Sequence, residues 1–259
     1  MKVLIHNTAE SAVNCVAGLI AARLQRQPDA VLGLATGGTM EAVYAQLIAA
    51  YQRGEVSFAQ ARSFNLDEYV GVSPDHPASY WHYMRAQLFD HVNMPAGAAQ
   101  LPRGDAPNPE AEAAAYEQAI MDAGDIGLQL LGLGANGHIG FNEPTSSLAS
   151  LTRVKTLTRS TREANARFFD DPAQVPRLAI TMGIGTILRA DEVVLLAHGE
   201  GKACAARAMI ERPLTAACPA SALQMHRKAT VVLDQAAASK LALRDYYEEV
   251  HPAGRDIPI

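Results

Sequence analysis

Short apolar segments alternate with longer amphipathic ones along the whole sequence. The apolar segments are rich in Leu, Val and Ile, and they lack the strict alternation with polar residues that marks a half-exposed strand. Runs of this kind are typical of strands whose two faces are both covered, as in a parallel sheet. We therefore predict strands at Val3–Ile5, Ala30–Ala35, Arg62–Leu66, Ile126–Gly134, Leu178–Met182, Val193–His198 and Thr230–Leu233.

The amphipathic segments have the apolar spacing of helices. We predict helices at Thr8–Gln27, Met40–Arg53, Ser79–Val92, Glu110–Ala123, Lys202–Glu211 and Gln235–Glu248. A strand–helix repetition predicts an α/β fold with a mainly parallel, doubly wound (Rossmann-like) sheet and helices on both faces. No internal repeat or linker-like stretch interrupts the pattern, so we expect a single domain over residues 1–259. Ligands of such sheets bind beyond the carboxyl ends of the strands, where we look for functional residues.

The overall charge bears on the partners of the chain. There are 22 basic and 27 acidic residues, a net charge of -5, which argues against a nucleic-acid partner. A small phosphorylated metabolite stays open, because one phosphate needs only a few local donors. The apolar run at the N-terminus is too short for a secretion signal, and no segment approaches the roughly 20 apolar residues of a membrane span. We expect no membrane association and a cytoplasmic location.

The first informative loop is Ala35–Thr39, with the sequence ATGGT, between a predicted strand and a predicted helix. Adjacent glycines at Gly37 and Gly38 let the backbone approach a ligand, and the helix N-terminus offers unpaired N–H groups. Thr39 adds a hydroxyl. The loop therefore predicts an anion site, most simply for phosphate. A tight turn capped by threonine is the alternative that remains open.

The second loop is NLDEY, in which Asp67 and Glu68 follow the end of a predicted strand. A carboxylate there can act as a general base if it lies near an acidic carbon–hydrogen bond. A helix cap or a surface pair would also explain two adjacent acids.

The third loop, Gly132–Pro144, has the sequence GLGANGHIGFNEP. Its formal GxGxxG pattern is not followed by a helix, which argues against a dinucleotide site. His138 among glycines has little core to pack into, so a proton-shuttling role with Glu143 beside it is favoured. No metal-binding spacing is present, and we predict no metal and no cofactor.

Cationic residues lie further along the chain: Arg153 and Lys155 in TRVKT, Arg167 in NARFF, and Lys202 in GEGKA. Each alone is typical of a solvated surface charge. Lys202 is the most suggestive, because a lysine at a helix start opposes the helix dipole and calls for an anionic partner.

The motifs ATGGT, NLDEYVG, GHIGFNEP, SLTRVKTLT, NARFF and GxxKA occur in the order found in glucosamine-6-phosphate deaminases. From the N-terminal strand to about residue 235 the chain resembles this branch of the glucosamine/galactosamine-6-phosphate isomerase family. The resemblance implies an enzyme of amino-sugar catabolism that converts glucosamine 6-phosphate and water to fructose 6-phosphate and ammonia, without a cofactor. It also implies that Asp67 moves a proton between C2 and C1, and that His138 opens the ring with help from Glu143.

The same resemblance implies that Gly37, Gly38, Thr39, Arg167 and Lys202 hold the phosphate. Many members carry Asp where this chain has Asn136. Because Asn cannot supply the negative charge that favours a protonated imidazole, we expect His138 to depend on Glu143.

Some members are hexamers activated by N-acetylglucosamine 6-phosphate between subunits. Ser146, Arg153 and Lys155 match residues used there, and Tyr246 falls near a corresponding tyrosine, whereas the tail His251–Ile259 departs from the pattern. A homo-oligomer and an allosteric site are therefore expectations only. Three alternatives stay open: lactone hydrolysis of the 6-phosphogluconolactonase type, a galactosamine 6-phosphate substrate, and a sugar-phosphate-binding module without catalysis.

Overall fold

The computed structural model describes residues 1–166, 169, 171 and 174–255. Its ten strands, counted over those residues, are β1 (Lys2–His6), β2 (Val31–Leu34), β3 (Arg62–Asn65), β4 (Asp67–Tyr69), β5 (Ala99–Gln100), β6 (Leu128–Gly132), β7 (Arg153–Thr156), β8 (Leu178–Thr181), β9 (Glu192–Ala197) and β10 (Ala229–Asp234). The α-helices of the same residues are α1 (Ala9–Arg26), α2 (Gly38–Gln52), α3 (Tyr80–Gln87), α4 (Pro109–Asp122), α5 (Arg159–Asn165), α6 (Ile184–Leu188), α7 (Ala203–Glu211) and α8 (Arg244–Val250).

Seven strands form one sheet in the order β1-β10-β9-β6-β2-β3-β5, and every pairing in it is parallel. The apolar runs of β1, β6, β9 and β10 are almost completely buried, as expected for strands covered on both faces. The predicted α/β class with a mainly parallel, doubly wound sheet is confirmed. The single-domain organisation stays a prediction.

The remaining three strands form a small antiparallel sheet in the order β4-β8-β7. The predicted strand Leu178–Met182 exists, but it belongs to this sheet, so its assignment to the parallel sheet was wrong. A short apolar run indicates burial and not the direction of its partners, which explains the error. Strands β4 and β7 were not predicted, because DEY and RVKT are short and polar.

Five of the six predicted helices occur close to the expected positions. The exception is Gln235–Glu248, where the helix is confined to Arg244–Val250. Residues 235–243 form turns instead, and the first of them begins where the Asp234 carboxylate accepts the N–H of Ala237 at 2.8 Å. The alanine-rich segment has helical spacing, but this side chain captures an N–H that starts a turn. Helices α5 and α6 are short and were not predicted.

The strand order changes direction between β2 and β6. From β2 the chain runs outwards to β3 and β5, then returns to β6 on the other side and continues to β9 and β10. The loops that follow β2 and β6 therefore diverge and leave a crevice at the carboxyl edge of the sheet. Within the described residues, no helix is long and apolar enough to cross a membrane.

Candidate active site

A cavity of about 810 Å³ opens in the crevice beyond β2 and β6. All three loops singled out in the sequence contribute to it, together with the start of α3 and the turn before α7. The predicted site residues that line this cavity are Gly37, Gly38, Thr39, Asp67, Asn136, His138 and Lys202. Residues that are far apart in the sequence thus line the same cavity.

The ATGGT loop forms the wall next to β2. Gly37 has a φ of 107°, which favours glycine, and it directly precedes α2. The first N–H groups of α2 lack helical acceptors and carry the positive end of the helix dipole. The hydroxyl of Tyr83 in α3 donates to the Gly37 carbonyl at 2.9 Å and fixes the turn.

Lys202 brings a cation to the same cavity from the turn before α7. Burial lowers the pKa of Lys202, as expected for an ammonium group that is partly removed from water. An anionic ligand would offset that cost. Arg167, the other cation predicted for the phosphate, lies outside the described residues.

Asp67 lies in β4, opposite Thr181 of β8. Its side chain is 5% exposed, and burial, followed by the charge of Glu68, raises its pKa to about 8. Gly140 comes so close that an added Cβ would lie 3.4 Å from Asp67 Oδ2. Asp67 is therefore a carboxyl group kept at the cavity surface with poor solvation, an arrangement suited to a general base or acid.

Glu68, the next residue, is buried under the start of α3. It accepts the N–H groups of Tyr69 at 2.8 Å, Tyr80 at 3.1 Å and Trp81 at 3.1 Å. Burial raises the pKa of Glu68 to about 7, and these three hydrogen bonds oppose that rise. The two adjacent acids, which the sequence could not distinguish, thus occupy different environments.

His138 lies on the opposite loop, against Gly134. An added Cβ on Gly134 would fall 2.4 Å from His138 Cδ2 and Nε2 and 2.5 Å from Cε1. Since real Cβ atoms do not approach so closely, glycine at position 134 makes the observed ring position possible. The second glycine of the formal GxGxxG pattern therefore leaves room for a histidine and not for a dinucleotide.

Glu143 lies behind His138 and outside the cavity lining. Its Oε2 is 3.4 Å from His138 Nδ1 and accepts a 2.7 Å hydrogen bond from Asn136 Nδ2. Its Oε1 accepts from the Thr161 hydroxyl of α5. Burial would raise the pKa of Glu143, but hydrogen bonds from His138, Thr161 and Asn136 and the charge of the imidazolium lower it to about 2. Glu143 is thus a carboxylate at neutral pH that orients the imidazole.

Asn136 bridges the two members of this pair. Its side chain donates to Glu143, and its Oδ1 accepts the backbone N–H of His138 at 3.2 Å. The amide therefore ties the histidine backbone to the glutamate side chain, a role that needs both a donor and an acceptor.

We predict that Asn136→Asp moves the limb of the pH–rate profile that His138 controls to higher pH, by about one unit. The new carboxylate at position 136 adds a second negative charge next to Glu143 and close to the imidazole. His138 should therefore hold its proton to higher pH. The measurement is kcat/KM against pH for wild type and variant. Asn14→Asp, a change on α1 outside the cavity lining, is the control, and a limb that does not move in Asn136→Asp would contradict the prediction.

The three residues predicted for an allosteric site lie away from the cavity lining. Ser146 is buried, whereas Arg153 and Lys155 lie on β7, the edge strand of the small sheet. Burial lowers the pKa of Arg153. In the described part of the chain, no hydrogen bond joins these three residues to one another, and their role in an allosteric site stays a prediction.

Sequence reasoning missed several residues that shape the site. Tyr80 and Tyr83 of α3 line the cavity, and Thr161 of α5 holds Glu143. The i, i+3 spacing of the two tyrosines could have indicated one aromatic face of a helix. Over the residues described, no group of three or more His, Cys, Asp or Glu side chains is arranged to hold a metal ion.

The family model of glucosamine-6-phosphate isomerases/6-phosphogluconolactonase matches residues 5–232. A curated glucosamine-6-phosphate deaminase from Cellvibrio japonicus (strain Ueda107) is 54% identical over 250 residues, which cover 96% of this chain and 95% of that protein. The chain belongs to this family. Within the family, the predicted resemblance to the deaminases is confirmed by this level of identity.

Solved structures agree with that placement. A monomeric glucosamine-6-phosphate deaminase superposes with a TM-score of 0.90 at 46% identity, over 93% of this chain and 100% of the other. A 6-phosphogluconolactonase from Trypanosoma brucei superposes with a TM-score of 0.71 at 20% identity, over 93% and 98%. The second likeness shows a shared fold alone, so within this family the chain is much more similar to the deaminase than to the lactonase.

Proposed function

We propose that this chain is a glucosamine-6-phosphate deaminase, which converts glucosamine 6-phosphate and water to fructose 6-phosphate and ammonia. The observation that carries the proposal is the convergence on one cavity of Asp67, the His138–Glu143 pair and the anion-binding turn of α2. Close identity to deaminases over nearly the whole chain supports the same reaction. Lactone hydrolysis, the alternative, has only a distant likeness of fold in its favour.

Ring opening is the first step of the proposed reaction. A proton must leave the C1 hydroxyl while another reaches the ring oxygen, which suits a histidine, because its ring nitrogens can both accept and donate a proton. The Glu143 carboxylate, 3.4 Å from His138 Nδ1, can orient the ring and stabilise the imidazolium. Because Glu143 stays ionised, it is available for this task over the whole physiological pH range.

Proton transfer between C2 and C1 is the second step. It needs one base that removes the C2 proton and returns it to C1 of the enolamine. Asp67 is a single carboxyl at the cavity surface, held by β4 and approached by Gly140. Its pKa of about 8 matches a group that must both take up and give back a proton near neutral pH.

The phosphate is assigned to the α2 turn and Lys202. Gly37, Gly38 and Thr39 offer backbone N–H and hydroxyl donors, and Lys202 adds a positive charge across the same cavity. Arg167 stays a prediction for this role. The phosphate would fix one end of the substrate so that C1 and C2 lie between Asp67 and His138.

We predict that Lys202→Met raises KM for the sugar phosphate about 10- to 100-fold and changes kcat much less. Methionine keeps the apolar stem but removes the ammonium group that would meet the phosphate. Lys228→Met is the matched control, because Lys228 is 69% exposed and pairs with Glu192 on the surface. Equal KM values for wild type and Lys202→Met would remove Lys202 from the phosphate site.

The proposed function is tested by incubating the protein with glucosamine 6-phosphate and measuring ammonia and fructose 6-phosphate together. Equal amounts of the two products are expected. Galactosamine 6-phosphate and 6-phosphogluconolactone are assayed separately as alternative substrates. Faster turnover of either one, or no ammonia from glucosamine 6-phosphate, would overturn the proposal.

Assembly, regulation and location are further parts of the proposal. A sugar-phosphate substrate fits a cytoplasmic enzyme, since phosphorylated sugars do not cross membranes freely. The solved deaminase with a TM-score of 0.90 is monomeric, so a homo-oligomer of this chain and an allosteric role for Ser146, Arg153 and Lys155 need their own test. Light scattering, together with activity at sub-saturating substrate with and without N-acetylglucosamine 6-phosphate, provides it.

A further inference from the structure

Glu68 is a buried carboxylate at the N-terminus of a helix. Its side chain is 2% exposed, and two of the three backbone N–H groups that it accepts belong to Tyr80 and Trp81, the first two residues of α3. Charge-assisted hydrogen bonds and the positive end of a helix dipole both favour the ionised form of a carboxyl group. If only one of two neighbouring acids is ionised, these contacts place the charge on Glu68.

Asp67 has no comparable support. Neighbouring residues of a strand point to opposite sides, so Glu68 faces α3 while Asp67 faces the cavity. Over the residues described, no hydrogen-bond donor and no lysine, arginine or histidine is paired with the Asp67 carboxyl group. This group therefore has little to stabilise a negative charge.

Lys202 and His138 share the cavity with Asp67, but the groups packed directly against Asp67 are neutral. They are the phenols of Tyr69 in β4, Tyr80 in α3 and Tyr116 in α4, together with Gly140 and the hydroxyl of Thr181 in β8. Burial raises the pKa of all three phenols above the ordinary value, so none is charged at neutral pH. Glu68 is therefore the only charged group coupled to Asp67 among the residues described.

Two adjacent buried carboxyl groups without a cation retain a proton between them. We propose that Glu68 is a positioning residue that keeps this proton on Asp67 while the cavity is empty, and that the ammonium group of a 2-amino-sugar phosphate displaces it on binding. The inference rests on the proposed function for the identity of the substrate. In the binding step the substrate ammonium pairs with the Asp67 carboxylate, and the displaced proton leaves to solvent.

This arrangement makes the base available only when a cationic substrate is present. A sugar phosphate without an amine brings no positive charge to offset that of Glu68. Asp67 then keeps its proton and cannot act as a base. The Asp67–Glu68 pair therefore gives the enzyme a preference for amino sugars. This preference has a chemical origin and does not depend on the shape of the cavity.

The test measures protons released on binding. We use two unreactive open-chain probes, 2-amino-2-deoxyglucitol 6-phosphate and glucitol 6-phosphate, which share the phosphate and differ in the amine. Calorimetry at pH 7.5, between the pKa values of about 7 for Glu68 and about 8 for Asp67, in buffers of different ionisation enthalpy gives the number of protons released per site. For wild type we expect about one more proton from the amino probe than from the neutral probe. The difference should vanish in Asp67→Asn.

The variant Glu68→Gln should reduce this difference, because a larger fraction of Asp67 is then ionised in the empty cavity, although burial still opposes that ionisation. It should also move the acid limb of kcat/KM to lower pH by about one unit. The matched control is Glu117→Gln, which alters another buried glutamate with several hydrogen-bond donors, none of which is Asp67. Loss of stability alone would affect both variants, whereas only Glu68→Gln should change proton release.

Equal proton release for the two probes in wild type would overturn the inference, and that comparison does not require any variant to fold. Unchanged release in a folded Glu68→Gln would also overturn it. The deaminase assay separates the two proposals: ammonia production without a difference in proton release rejects only the role of Glu68. An amino probe that does not bind rejects the role of Glu68, and the absence of ammonia as well rejects both.

Discussion

Asp67→Asn is expected to lower kcat about 10²- to 10⁴-fold and, at the same time, to stabilise the protein at neutral and alkaline pH. The carboxamide occupies the same space but cannot accept a proton from C2, so the transfer between C2 and C1 is lost. KM should rise much less than kcat falls, because the variant loses the contact with the substrate ammonium group but keeps the phosphate site at the α2 turn and Lys202. Steady-state kinetics with glucosamine 6-phosphate measure both quantities.

The gain in stability follows from the direction of the pKa shift. The pKa of Asp67 is raised from its ordinary 3.8 to about 8, so between these values the native protein holds a proton that the unfolded chain has released. The contribution of Asp67 to the free energy of unfolding therefore falls as pH rises from about 4 to about 8. Asparagine has no such titration, and the variant should become more stable relative to wild type over this range, by a few kcal/mol.

Asp234→Asn is the contrasting control. The Asp234 carboxylate accepts the N–H groups of Gly199 and Ala237, at 3.0 and 2.8 Å for one of its oxygens. Replacing it weakens these bonds, so this variant should lose stability where Asp67→Asn gains it. Thermal unfolding of wild type, Asp67→Asn and Asp234→Asn at several pH values measures these stability differences. Near wild-type activity in Asp67→Asn would contradict its role as the base, and a stability difference that does not grow with pH would contradict the retained proton.

The sequence predicted six of the seven strands of the main sheet, because most of them are apolar runs, whereas the two-residue strand β5 was not predicted. Strands such as β9 and β10 are buried on both faces, and their composition reports that burial directly. The small sheet was missed because β4 and β7 are short and polar and are held by partners distant in the chain. Local composition carries no information about such pairing.

Part of the site could also be predicted from the sequence. Strand-end glycine loops indicated where ligands bind, and the cavity does lie there. What the sequence could not supply is the difference between Asp67 and Glu68. That difference depends on strand alternation in β4 and on the position of α3, whose first two N–H groups bond to Glu68 and not to Asp67. Tertiary contacts of this kind are not visible in a run of two acids.

The second large effect is expected from Gly134→Ala, with a fall in kcat/KM of about 10²- to 10³-fold and little change in thermal stability. The residue has no positive φ, so alanine is compatible with the backbone at position 134. The new Cβ would instead lie 2.4 Å from two atoms of the His138 ring, which must rotate away. Because the His138 side chain is 26% exposed, it can move towards solvent without disrupting the core.

Gly132→Ala is the matched control within the same loop. Its added Cβ would meet only the terminal methyl group of Met40, at 3.3 Å, and that flexible side chain can shift by a few tenths of an ångström. We expect this variant to stay within a few-fold of wild-type kcat/KM. The two substitutions add the same methyl group to glycines two residues apart, and they differ in whether it strikes the histidine. If Gly134→Ala retained full activity, ring opening would not depend on His138 in its observed position. If both variants lost activity equally, the effect would belong to the loop as a whole and not to the histidine.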